Sequence, residues 1–489
     1  MKITEQVEDP FRKQTNALCY FININENPKW LVNIHGRLAE TLKQIIKNTE
    51  WNEGEIRIIN THGLIIADRI ILVGLGNKKK LKSDTVRNTS GKLVKEIQHI
   101  GLNEYTVIIP EDFNEILIQS VVEGAELSTY NFNKYKTNKK KIPELFILGH
   151  NKNINTIIDK AKKINSGVIF ARDIANLPPN DCTPSTMAKI SETLTNDKLK
   201  CRILSKNYIK KQNLNGIMSV GMGSKNEPKL IFLEYNLKKN RKPIIIIGKA
   251  VTFDTGGISL KPSEKLDEMK FDKCGGCVVL GIMKSVSELE LPISIVGVIP
   301  TVENMPGGSS YRPGDIIKMY NGKMAEIINT DAEGRLILSD AISYSEKKYS
   351  PNSIIDFATL TGACIVALGT NVAGFVTNDS YLATKLNESA ERSDEDIWRL
   401  PLNDDYMNMI KSDIADIKNT GPKGSAGTIT AAAFLAYSIS NNTPWAHVDI
   451  AGTAWTQPST KCRSYNSKGA TGFGVRLMID YLINTEVKN

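Results

Sequence analysis

A chain of 489 residues exceeds the size at which one core serves a whole molecule, so two domains are expected. With 41% hydrophobic and 24% charged residues it reads as soluble and globular, and no apolar run reaches the roughly 18 to 20 residues that a membrane span needs. The formal charge of +9 comes partly from lysine runs at 78–80 and 139–141. With no arginine-rich helix or interleaved aromatics beside them, these runs read as solvated surface rather than a nucleic-acid footprint.

The first residues, MKITEQVEDPFRKQTN, are polar and mixed in charge, unlike a secretory signal or transit peptide, so the cytoplasm is the expected location. Up to about residue 160, strands alternate with helices. ALCYFIN (17–23), RIILVGLG (69–76), YTVIIP (105–110) and ELFILG (144–149) are apolar β runs, while 84–102 and 113–128 have helical spacing. The lysine-rich stretch near 136–142 is a loop. A helix over 152–177 leads into a second region and stops at NLPPND, because Pro178 and Pro179 cannot continue it. The boundary is expected close to this helix, giving domains 1–165 and 166–489.

Beyond it the apolar runs are KLIFLEY (229–235), PIIIIGKA (243–250), ISIVGVIP (293–300), AEIIN (325–329), SIIDFATL (353–360) and AHVDIAG (446–452). Helical patterns separate most of them. The alternation predicts an α/β fold in both domains, with a mixed, largely parallel central sheet in the second. Ligands of such sheets sit outside the carboxyl ends of the strands.

The candidate chemistry falls at those ends. Of five histidines, at 35, 62, 99, 150 and 447, four lie in the N-terminal part, which argues against a histidine-built zinc site in the second domain. His447 reads as a hydrogen-bonded core residue. Seven scattered cysteines read as reduced thiols, and Cys274-Gly-Gly-Cys277 as packing rather than a redox pair. Carboxylates, by contrast, gather. Lys249 ends one strand, Asp254 precedes the Thr255-Gly256-Gly257 turn, Lys261 follows, and Asp272 opens a helical run. Asp331 and Glu333 follow AEIIN; in an extended chain residues two apart point to one side, so both would face one site. Four carboxylates without partners repel one another and lose hydration, a cost that divalent cations remove. Two cations bridged by shared carboxylates form a recurring hydrolytic centre.

The strings NTDAEGRL (329–336), GKAVTFDTGGISLK and EMKFDKCGG resemble those of the leucyl aminopeptidase family, the cytosol aminopeptidases. EGAELSTYNFNKYK (123–136), ARDIANLPPNDCTP (171–184), ATLTGAC (358–364) and HVDIAGTAW (447–455) agree with it. The resemblance is specific over most of 165–489 and weaker over the first 120 residues. It implies a macro-domain-like N-terminal domain and a catalytic domain that releases N-terminal amino acids from peptides. Asp254 and Glu333 would bridge two divalent ions, Mn²⁺ or Zn²⁺. Asp331 would complete one metal site, and Lys249 with Asp272 the other. Lys261 and Arg335 would be the catalytic residues that bind no metal, Arg335 holding a bicarbonate that serves as base. Met269, Thr359, Gly362, Ala451 and Thr453 would line a pocket for an apolar side chain such as leucine. The resemblance also implies a homohexamer; some family members bind DNA, which the +9 charge permits without favouring.

A ligating lysine must be neutral, and deprotonating it at pH 7 costs roughly 4 to 5 kcal/mol, which the dication and burial would have to supply. Three local departures from the family pattern stand out. Ala250 replaces a common glycine. Lys273, next to Asp272, replaces a common methionine; on a helix it would point about 100° away, yet it adds a positive charge able to weaken metal affinity. Gly276 and Cys277 replace small alanine-like residues.

Overall fold

A computed structural model describes residues 1–5, 15–26, 28, 30–31, 34, 36–137, 141–149, 152–238, 241–440 and 442–485. His35, His150 and positions 138–140 of the lysine-rich stretch lie outside the described residues. The chain divides into two compact units: Met1–Asn165 with Cys462–Ser467, and Ser166–Lys461 with Lys468–Asn489. The division falls inside the helix Ile154–Ala175.

In the first unit the strands are β1 (Ile3–Glu5), β2 (Ala17–Asn23), β3 (Ile56–Asn60), β4 (Arg69–Gly76), β5 (Glu104–Ile108) and β6 (Glu144–Leu148). They lie in the order β1-β6-β5-β2-β4-β3, parallel throughout except for β3 against β4. Strand β2 is buried along its whole length because both faces are covered, as its unbroken apolar run requires. Cys19 and Phe21 pack with Val86, Leu93 and Val121 of the helices Ser83–His99 and Glu115–Ser128. Leu18, Tyr20 and Ile22 pack on the opposite face with Leu38 and Leu42 of the helix Gly36–Asn48.

Residues 462–467, which sequence order puts with the second domain, belong to this first unit. The Ser464 amide donates to Asn88 Oδ1 at 2.7 Å, and Arg463 pairs with Asp84 at 3.3 Å.

The second unit contains β7 (Leu199–Leu204), β8 (Lys229–Tyr235), β9 (Ile244–Gly248), β10 (Ala250–Asp254), β11 (Ile295–Asn304), β12 (Ile316–Lys318), β13 (Met324–Glu326), β14 (Ser353–Ala358), β15 (Ala373–Thr377), β16 (Ile397–Arg399), β17 (Ile417–Lys418) and β18 (Trp445–Asp449). Its main sheet runs β16-β15-β18-β14-β9-β11-β8-β7, with β10 added on β11. Strands β11, β9, β14 and β18 are mutually parallel, and antiparallel pairs lie towards both edges, so the sheet is mixed and largely parallel, as expected. Four consecutive isoleucines make β9 the buried centre of that parallel block.

Two expectations need correction. The run PIIIIGKA is not one strand: the chain breaks at Lys249, and β10 pairs with the far end of β11. AEIIN is a strand only as far as Glu326, in a small sheet with β12 and β17. Beyond it, asparagine side chains replace strand pairing: Asn419 Oδ1 accepts from the Ile328 amide at 2.8 Å, and Asn419 Nδ2 donates to the Asn329 carbonyl at 2.7 Å.

The helix Cys274–Leu289 packs closely on the sheet. A Cβ at Gly276 would lie 2.7 Å from the Cβ of Ala250 and 2.8 Å from Ile299 Cγ2, so the helix needs glycine at this contact.

Candidate active site

The strand break puts Lys249 at the carboxyl end of β9, where its amide donates to the Phe357 carbonyl of β14 at 3.0 Å. Its ammonium meets Asp272 Oδ1 at 2.8 Å, Glu333 Oε1 at 2.7 Å and the Thr359 carbonyl at 2.9 Å. The residue after Glu333 must be small here. A Cβ at Gly334 would lie 2.8 Å from Lys249 Cδ, Cε and Nζ, so glycine alone lets the helix Gly334–Tyr349 start against that side chain.

Asp254 ends β10, in register with Asn304. Its Oδ1 accepts from the Gly256 amide at 2.9 Å and from Asn304 Nδ2 at 2.8 Å, while Oδ2 pairs with Lys261 at 3.0 Å. Asn304 also donates to the Thr330 carbonyl at 3.1 Å, which Tyr311 holds through its hydroxyl at 2.7 Å. Asn304 and Tyr311 escaped the sequence reading. The signal for Asn304 was a polar residue closing an apolar strand that runs four residues past Pro300.

Asp331 and Glu333 do come to one site, but not through the extended backbone expected. Asn329–Ala332 is a turn, closed by the Ala332 amide on the Asn329 carbonyl at 3.3 Å, with Asn329 Oδ1 accepting from the Asp331 amide at 2.9 Å. Glu333 is already right-handed helical, with φ −75° and ψ −36°. The turn delivers Asp331 to Lys261, with which it pairs closely, and Glu333 to Lys249. Asp272 follows the short 3₁₀ helix Leu266–Phe271 and accepts from Thr359 Oγ1 at 2.8 Å.

One oxygen from each of Asp254, Asp272 and Glu333 lies within 4.8 Å of the others. Asp272 Oδ2 and Glu333 Oε2 are buried without a hydrogen-bond partner. Four carboxylates face two lysines, leaving two negative charges unmatched. Orphaned oxygens beside excess negative charge, with oxygen and nitrogen donors around them, fit divalent cations.

Protonation in this structure agrees. Burial raises the carboxyl groups of Asp254 and Asp272 above the usual range, and burial with the charges of Asp254 and Glu333 takes Asp331 up to about 7. Glu333 alone is lowered: burial acts to raise it, but Lys249 and Lys261 outweigh burial. Burial likewise acts to lower Lys249, and the charges of Asp272, Glu333 and Asp254 override it and raise the lysine. Three acceptors around one nitrogen call for three N–H donors, so Lys249 stands here as the ammonium. A metal ion would have to displace its proton.

These groups open into a cavity of about 600 Å³, whose wall includes Lys249, Asp254, Lys261, Asp272, Asp331, Glu333 and Arg335. Arg335 Nη1 donates to the Asn419 carbonyl at 2.6 Å, and its buried Nε has no partner. Burial pulls Arg335 down to about 10, so it remains a cation at neutral pH. Met269, Thr359, Gly362 and Ala451 line the cavity as expected, joined by Ile365, Trp455 and Gln457, which the sequence reading did not name. Thr453 does not line it; that residue is buried, with its hydroxyl at the Ile450 carbonyl.

His447 is a core residue: fully buried, with Nδ1 2.6 Å from Asp356 Oδ1. All seven cysteines are free, and burial pushes the Cys274 thiol up to about 12 and raises Cys277 well above its ordinary value, as packing residues require.

An α/β scaffold with an acidic cavity that fits divalent cations at its strand ends is a recurring frame for hydrolytic centres. The cytosol aminopeptidase family profile matches this chain twice, its catalytic domain over residues 169–479 and its N-terminal domain over 26–139. A probable cytosol aminopeptidase of Cenarchaeum symbiosum is 52% identical over 487 residues, covering 99% of each chain. Another, from Roseiflexus castenholzii, is 38% identical over 497 residues with the same coverage. Among solved structures, a mutant of tomato leucine aminopeptidase superposes with a TM-score of 0.86 at 28% identity, covering 99% of this chain and 97% of its own. The bottromycin maturation enzyme BotP in complex with Mn gives 0.84 at 26% identity, covering 96% and 98%. The chain belongs to the cytosol aminopeptidase family, and it is an aminopeptidase, a hydrolase.

Proposed function

We propose that this protein is a two-metal leucyl aminopeptidase, which releases leucine and other apolar residues from the N-termini of peptides. The observation that carries the reading is the convergence of Asp254, Asp272 and Glu333 oxygens within 4.8 Å, with orphaned oxygens on two of them. Asp254, Asp272, Asp331, Glu333 and a neutral Lys249 would together hold two divalent ions, Mn²⁺ or Zn²⁺. Bound there, the ions supply a water of pKa near 7 and polarise the scissile carbonyl.

The chain's own residues do the rest. Lys261, between Asp254 and Asp331, can turn its ammonium to the developing oxyanion. Arg335 lines the cavity and keeps a buried Nε without a partner, and it would seat a small anion such as bicarbonate that serves as base. Met269, Ile365, Ala451 and Trp455 give the cavity an apolar wall that selects the side chain.

We place the protein in the cytoplasm as a homohexamer; its +9 charge permits DNA binding without favouring it. Among the described residues no helix is long and apolar enough to cross a membrane. The test is hydrolysis of leucyl-p-nitroanilide with added Mn²⁺ or Zn²⁺. Turnover should vanish with a chelator and in Glu333→Ala, and chelator-resistant turnover retained in that variant would overturn the reading.

A further inference from the structure

Immediately after Asp272 the chain buries a second lysine that takes no part in the cavity. Lys273 is wholly shielded from solvent. Its nitrogen donates to the Ala175 carbonyl at 3.0 Å, the Leu177 carbonyl at 3.0 Å and the Lys270 carbonyl. Three acceptors around one nitrogen mark an ammonium held in a cage of backbone dipoles. Among the described residues it forms no ion pair with a carboxylate.

None of the three carbonyls has a regular helix partner among the described residues. Ala175 ends the helix Ile154–Ala175, where unpaired carbonyls carry partial negative charge, and Leu177 precedes Pro178 and Pro179, which have no N–H to offer. Lys270 lies in the 3₁₀ helix Leu266–Phe271 that carries Met269 and leads into Asp272. A single cation therefore fastens that 3₁₀ turn to the end of a long helix, directly behind Asp272. On the other side, the Asp272 carbonyl accepts from the Val251 amide at 3.2 Å, and its Oδ1 is held by Lys249 and Thr359. Without the cation, the buried Ala175 and Leu177 carbonyls and the part-buried Lys270 carbonyl would be short of a donor, and the turn would lose its tether.

We propose that Lys273 is a positioning residue for Asp272: its ammonium is a built-in cation that locks the 3₁₀ turn and so strengthens metal binding by the neighbouring carboxylate. The inference rests on the metal-binding role of Asp272 proposed above. It has the opposite sign to charge repulsion, under which removing Lys273 would tighten metal binding.

The experiment is a calorimetric Mn²⁺ titration of full-length wild type and Lys273→Met. Each is run in ammonium chloride and in choline chloride at equal ionic strength, with thermal unfolding of the metal-free proteins alongside. One of two Mn²⁺ affinities should weaken about tenfold in Lys273→Met, and turnover of leucyl-p-nitroanilide should fall with it. Lys273→Ala, run in the same two salts, empties the side-chain space; ammonium should enter it and restore both, and choline should not. A purely structural role would lower the unfolding temperature and leave Mn²⁺ affinity unmoved; unchanged or tightened affinity overturns the proposal alone. Wild type that binds no Mn²⁺ overturns the metal reading of the cavity, and this inference with it. Should Lys273→Met be insoluble, Lys273→Gln, with two N–H donors on a neutral head, carries the same comparison.

Discussion

The cavity holds two lysines, each clasped by two carboxylates, and they differ in exposure. Lys249, with Asp272 and Glu333, is 3% exposed and has every donor engaged. Lys261, with Asp254 and Asp331, is 22% exposed and follows a glycine turn. Similar pairs in dissimilar surroundings serve dissimilar ends. The buried lysine is a fixed part of the cage and governs its charge balance, while the more open one keeps the freedom to follow a substrate.

The sharpest way to break this contrast is to remove each lysine in turn. Lys249→Met leaves Asp272 and Glu333 buried and unpaired, and should destabilise the metal-free protein by about 3–5 kcal/mol in urea unfolding. Added Mn²⁺ should recover part of that loss. Lys261→Met should lose less stability, keep its Mn²⁺, and drop kcat by about 10²–10³. If the two variants lose stability and kcat alike, the contrast fails.

The buried half also depends on the packing behind it. Gly276→Ala sets a methyl against Ala250, next to Lys249, and should cost about 1–3 kcal/mol. The same change in an Ala250→Gly background should recover only part of it, because the Ile299 Cγ2 methyl still lies 2.8 Å away, and a double-mutant cycle measures that coupling.

The smallest effect expected is a pH slope under the sheet. Asp356 raises the pKa of His447 above its ordinary value, with Asp449 adding to this, while burial and Arg335 oppose them. A folded pKa raised above the unfolded one gives stability that is fully present below about 6.5 and is lost as pH rises through the folded value. His447→Gln should therefore lose more stability relative to wild type at pH 6 than at pH 9. An equal loss at both would show that the pair acts through packing alone.

Most of the architecture was legible in the residues, because buried parallel strands announce themselves as apolar runs such as IIIIG and KLIFLEY. The candidate ligands were legible because carboxylates at strand ends are costly without a partner. The route by which Asp331 and Glu333 converge was not. The turn that carries them depends on Asn419, some 90 residues further along, and a contact so distant leaves no periodic trace. Asn304 was hidden for a similar reason: it reaches Asp254 only through the register of β10 on β11, set by the break at Lys249. Lys273 drew notice as a charge beside a ligand, and only the fold reveals the carbonyls that receive it.

The return of residues 462–467 to the first unit bears on how the protein is made. Most of the unit is synthesised before the rest of the chain, yet its polar contacts from Ser464 to Asn88 and Arg463 to Asp84 come from a segment about 300 residues beyond Asn165. At about 5–20 residues per second, those contacts wait roughly 15–60 s after the rest of the unit has emerged. A nascent chain paused before residue 462 should carry a first unit that proteases find looser than the finished one, and a fragment ended at Asn165 should share that defect.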